Sequence, residues 1–183
     1  MLRLLSIPPV VLLGALLPST VQAQVGPYAG FEQRSIKALS SEEVAGYLEG
    51  KGMSLALAAE LNGLPGPRHV IDHADELSLT PSQLAEVQIV FDDMQQAAVA
   101  LGREFVAAEQ RLDSLFSSGL VTPESLEQSV EASGALLAQL RYVHLAAHIE
   151  TAALMEQSQI DRYQHLRGYH QGGAADGSAA GHH

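Results

Sequence analysis

Apolar residues recur at Leu84, Val87, Phe91, Met94, Ala98, Leu101, Phe105, Ala108, Leu112 and Leu115, in steps that alternate three and four without a slip. On a helix of about 3.6 residues per turn such steps keep one stripe facing one way, which predicts a single helix over residues 81–117, roughly 55 Å long at about 1.5 Å per residue. Its start is marked: Thr80 can cap, Pro81 suits the first helical position, and Gln83 stands where a capping-box partner reaches back. Gly102 is its only weak point. Ser118, Gly119, Leu120 and Val121 make a turn, and Thr122-Pro123-Glu124-Ser125 repeats the cap-then-proline start. A second stripe follows at Leu126, Val130, Ser133, Leu137, Leu140, His144, Ala147, Thr151 and Leu154. Two long amphipathic helices joined by so short a connection are antiparallel neighbours.

The flanking segments are shorter and more broken. Residues 24–39 are punctuated by Gly and Pro and read as mobile, Ser40 caps a short helix that carries acids in its first turn, and Gly50-Lys51-Gly52 ends it. Residues 53–61 read as another short apolar helix, closed by the breaker cluster Asn62-Gly63-Leu64-Pro65-Gly66-Pro67, after which Pro67 opens a helix to about residue 77. A last helix is expected over 157–169. The fold class is therefore all-α: a long antiparallel helical hairpin with short flanking helices. A two-helix hairpin leaves one apolar stripe thinly covered, so a homodimer is the expected assembly.

Composition sets the two ends apart. Arg3 precedes an apolar run over residues 4–17, and Val21-Gln22-Ala23 offers small residues for cleavage, so residues 1–23 read as an export signal. The run is shorter than the roughly 18 to 20 residues of a spanning helix and is interrupted by proline, so no stable membrane anchor is expected. Four units result: the signal at 1–23, a flexible segment with short helices at 24–64, the hairpin domain at 65–169, and a Gly/Ala-rich, His-containing tail at 170–183 expected to be disordered. The tail ends in His182-His183, a native chelator or an appended remnant.

The formal charge is −11, and losing Arg3 with the signal makes it more negative. Nucleic acid is thereby excluded as a partner, because phosphate binding needs clustered Lys and Arg. No cysteine is present, so any metal is held by nitrogen, oxygen or thioether.

Two histidine pairs then stand out, His69 with His73 and His144 with His148, each at i,i+4 in a predicted helix. That spacing stacks two imidazoles on one face and can present two nitrogens to one ion. Levels along the hairpin follow from its turn: facing residues sum to about 240, so His148 lies level with Asp92 and His144 with Gln95 or Gln96. Asp92 is the leading oxygen ligand; Asp93 is second, about 100° further round the helix, and Glu86 lies more than a turn away. The competing view is equally weighted: a histidine on a helix seam commonly serves as a hydrogen-bonded core residue, His69 can help cap after Pro67, and the acids can be a solvated face.

Leu79-Thr80-Pro81-Ser82-Gln83 matches an LTxxQ motif. Together with the export signal, the hairpin, the Arg141-Tyr-Val-His144-Leu-Ala-Ala-His148 stretch and the closing Tyr163-Gln-His-Leu-Arg-Gly-Tyr169, it resembles the periplasmic Spy/CpxP family, which includes ZraP-like zinc-associated proteins and CnrX-like heavy-metal sensors. The resemblance covers about residues 65–169. A second LTxxQ survives only as the final Gln of Met155-Glu156-Gln157-Ser158-Gln159, so the last helix is expected to continue from its predecessor without its own cap. The resemblance implies a periplasmic, often dimeric protein that senses or buffers metal, or an ATP-independent chaperone or stress adaptor that binds unfolded clients or a periplasmic regulator. In CnrX-like sensors the ligands are two histidines before the LT motif, a carboxylate on the long helix, and a late His followed four residues on by Met. His69 and His73 fall in the first place and His144 in the late one; His148 replaces the methionine, and alignment on the LT motif puts the carboxylate nearest Phe91. The metal implied is nickel, cobalt, zinc or copper.

Enzyme chemistry finds no footing: no Gly-rich phosphate loop and no HExxH motif occurs, and no serine sits on a strand-to-helix elbow. Charge favours metal over clients, because the hairpin is acidic and poor in aromatics, and a chaperone would have to use its apolar inner face.

Overall fold

A computed structural model describes residues 26–169; the predicted export signal and the His-containing tail lie outside the described residues. Six α-helices follow in order: α1 Ser41–Leu48, α2 Leu57–Glu60, α3 Pro67–Asp72, α4 Pro81–Ser117, α5 Pro123–Ala153 and α6 Gln157–Leu166. Among the described residues there is no β-strand, only an isolated bridge between Ile36 and Leu39. No helix among them is long and apolar enough to cross a membrane.

The chain is all-α, with α4 and α5 packed along one another as the expected hairpin. Both start at true capping boxes: Thr80 Oγ1 accepts from the backbone of Gln83, whose side chain accepts from Thr80, and Thr122 and Ser125 do the same for α5. Helix α6 departs from expectation. The Glu156 N–H donates to Gln159 Oε1 at 2.9 Å, so α6 has a capped start of its own and is a separate helix set off from α5 by a turn at Leu154 and Met155.

Two cores hold the bundle. The first gathers Ile36, Leu39 and Leu55 from the N-terminal segment onto Ala98, Phe105 and Leu140 of the hairpin. The segment expected to be flexible thus contributes half of that core. Lys37 reinforces the attachment, its backbone N–H and ammonium both reaching the Asp113 carboxylate. Gly102, the expected weak point of α4, is the docking position: a Cβ there would collide with the Tyr47 carbonyl of α1, so only glycine admits the close backbone approach. The second core joins Val70, Leu77, Val87, Met155 and Tyr163, where α3 and α6 close the open end of the hairpin.

Three predicted helices are shorter than expected, α6 among them, since it ends at Leu166 rather than at residue 169. Residues 53–61 yield only α2, because Met53 and Ser54 adopt positive φ. Helix α3 ends at Asp72 rather than near residue 77, with His73 already outside helical geometry at φ −114° and ψ 24°.

Candidate metal centre

Between the two cores, where α3 and the loop after α1 face the hairpin, lies a cavity of about 430 Å³. His69, His144 and His148 line it, with Phe91, Met94 and Gln95 from α4. The predicted level of the histidines on the hairpin holds, since Phe91, Met94 and Gln95 are the α4 residues opposite them. The angle round α4 does not: Asp92 is exposed, accepts a hydrogen bond from Gln88 Nε2 at 2.9 Å, and is not among the residues that line the cavity. One residue along a helix is about 100° of rotation, enough to take a side chain from cavity to solvent. Phe91, the position to which the resemblance assigns a carboxylate, presents an aromatic ring instead.

His73 also parts from the others. His73 closes α3, its N–H still donating to the His69 carbonyl at 3.1 Å, and it is not among the residues that line the cavity; its Nδ1 is sealed from solvent without a hydrogen-bond partner, 3.9 Å from the Glu76 carboxylate. His69 remains half-buried in the cavity wall, near Asp72 at 4.0 Å. Burial, and then the Arg167 guanidinium, lower its pKa.

The α5 pair keeps its predicted geometry, because α5 runs unbroken through both residues. His144 is 4% exposed, and its Nε2 is sealed from solvent with no hydrogen-bond partner. Desolvation, aided by the neighbouring His148, holds its pKa below the usual imidazole value, so it is neutral at neutral pH. His148 Nδ1 lies 2.8 Å from the Leu64 carbonyl. A carbonyl only accepts, so Nδ1 carries the proton and the lone pair of the neutral ring sits on Nε2. Gly66 lies against that edge: a Cβ there would come within 2.9 Å of both Cε1 and Nε2.

Glu60 was not visible as a functional residue in the sequence. It lies at the end of a four-residue helix in an apolar stretch, and nothing local distinguishes it from a solvated acid. In the fold it is 7% exposed and takes three donors on Oε1: Tyr163 Oη at 2.6 Å, Tyr169 Oη at 2.9 Å and Arg167 Nε at 3.3 Å. Its Oε2 has no hydrogen-bond partner and lies 3.7 Å from His148 Nδ1. Tyr163 in turn has its pKa pushed far up, by burial first and by the Glu60 carboxylate second.

The donor set fits a borderline metal in part. A buried, partnerless imidazole nitrogen beside a second imidazole with its lone pair free is what such an ion requires. Yet among the described residues no group of three or more His, Asp or Glu lies close enough together to hold one ion. His144 and His148 of α5 share the cavity lining with His69 and Met94.

The chain matches no family model, no curated protein and no solved structure.

Proposed function

We propose that this is an exported helical-hairpin protein that binds a divalent transition metal, nickel, cobalt, zinc or copper, through His144 and His148, and senses or buffers that metal in the periplasm. The observation that carries the reading is the pairing, in one cavity, of the unpartnered Nε2 of His144 with a His148 whose Nδ1 is tied to the Leu64 carbonyl. Burial holds His144 neutral, so its nitrogen takes an ion without releasing a proton. His69 is the third nitrogen available from the same cavity. The chemistry supplied is ligation. Export rests on the charged and apolar pattern of residues 1–23.

Equilibrium dialysis of the full chain, with His182 and His183 replaced by Ala, tests this against each ion. Binding near one equivalent, lost on the double substitution His144→Ala and His148→Ala, supports it. Absence of binding, or binding undiminished in that variant, refutes it.

A second reading, an ATP-independent chaperone, has its own support in the exposed Phe116, Leu120 and Val130 at the hairpin tip and Ile89, Tyr142 and Ile149 further along. These side chains, rather than the inner face already covered by the N-terminal segment, would hold unfolded clients or a second copy of the chain. Suppression of client aggregation at stoichiometric protein, and sedimentation of the free chain, address each in turn.

A further inference from the structure

We infer that Glu60 is the positioning residue of the imidazole site, fixing through its Oε2 which nitrogen of His148 faces the cavity; this rests on the metal-binding reading.

The three donors on Glu60 all converge on Oε1. Oε2 has no hydrogen-bond partner and lies 3.7 Å from Nδ1 of His148, whose N–H the Leu64 carbonyl accepts at 2.8 Å. Glu60 and Leu64 thus flank the same N–H from one short segment. Both are acceptors, so the opposite tautomer would aim a lone pair at them, and a flipped ring would offer them only the Cδ2–H. The Nε2 lone pair is thereby held toward Gly66, where the missing Cβ leaves the approach open. An ion on Nε2 draws electron density from the ring and makes Nδ1–H a stronger donor, so a carboxylate behind it strengthens the bond in front. Burial of a carboxylate with one oxygen unpartnered is costly unless that oxygen serves a nearby positive charge or polarised proton, and His148 is what the fold provides.

Glu60→Gln tests the assignment sharply. Tyr163, Tyr169 and Arg167 hold the oxygen of the new amide on their side, which forces its NH2 toward His148 Nδ1–H, a donor against a donor. Two readouts follow, both on the full chain with His182 and His183 replaced by Ala. In the metal-free chain, ring nitrogen shifts of His148 report an Nδ1–H tautomer in the parent and a shift toward Nε2–H in Glu60→Gln. In titrations with nickel(II), Glu60→Gln binds about 10- to 100-fold more weakly, Glu60→Asp recovers part of the loss, and Tyr169→Phe, which removes a bond to Oε1 and the hydroxyl that accepts from Arg167 but nothing on Oε2, stays within about twofold. An unchanged tautomer in Glu60→Gln overturns the inference whether or not nickel binds. So does a Tyr169→Phe loss as large as that of Glu60→Gln, which would make the role one of general stability. Failure of the parent to bind nickel, with the tautomer shift intact, strikes the metal reading alone.

Discussion

Gln83 and Gln159 form a reciprocal amide pair across the open end of the hairpin, each Nε2 donating to the other's Oε1 at 2.9 and 3.1 Å. Each glutamine also accepts from the N-cap backbone N–H of its own helix, and Gln83 Nε2 reaches the Leu154 carbonyl at the end of α5. The two helix starts and one helix end are thus locked by a single polar knot. Gln83→Ala or Gln159→Ala should each cost about 2 kcal/mol, the sum of a lost cap and a lost buried hydrogen bond. Because they share partners, the double variant should lose less than the sum of the two, by about 1 kcal/mol; urea denaturation of the four proteins checks both figures. Strict additivity would mean that the pair is not coupled.

Gly66 is held by its neighbour rather than by its backbone, which is extended at φ −84° and ψ 140° and open to any residue. Gly66→Ala would drive its Cβ onto the His148 ring edge. Destabilisation of about 1–3 kcal/mol is expected from the overpacking, together with weaker nickel binding. Thermal denaturation and dialysis separate the two effects.

Gly102→Ala attacks a different contact. The Tyr47 carbonyl is backbone and cannot rotate away, so α1 must lift from α4. A loss of about 3 kcal/mol and faster amide exchange over residues 41–48 are expected. Unaltered exchange there would show that α1 does not depend on this contact.

Stability should also respond to acid. His144 has a pKa below the model value of 6.5 through burial, and His69 shifts the same way. The unfolded chain then takes up protons that the folded chain refuses, so stability is full above pH 6.5 and falls as the pH drops below it, until the folded-state pKa is passed. Melting temperatures of the metal-free chain measured from pH 7.5 to 5 check this sign. His144→Gln should flatten the slope by up to one proton's worth, about 1.4 kcal/mol per pH unit; a melting temperature that rises on acidification contradicts the argument.

Local features carried over from sequence to structure with little change. The bounds of α4 and the start of α5 follow from the apolar spacing and the Thr-Pro caps, which act within one turn and need no partner. The His144–His148 pair survived for the same reason, lying inside a helix too long for its ends to disturb. His73 stands at the end of α3 rather than inside it, because the end of a short helix is set by what packs around it. Asp92 failed on angle though not on level, since the sum rule for a hairpin gives height along the helices and leaves rotation to side-chain packing. The bond from the Glu156 N–H to Gln159 Oε1 shows that a motif can lose most of its consensus and keep one of its hydrogen bonds, the one its surviving Gln makes.

Periodicity, caps and breakers were enough to establish an all-helical hairpin and its turn, because each acts over one or two helical turns of chain. The placement of residues 36–60 against the hairpin, the cavity between two cores, and the meeting of Glu60 with Tyr163, Tyr169, Arg167 and His148 were decided only by tertiary packing. Glu60 lies about a hundred residues from the tyrosines and the arginine it serves. No short-range pattern links positions that far apart, so the carboxylate beside the imidazoles emerges only when the chain has closed on itself.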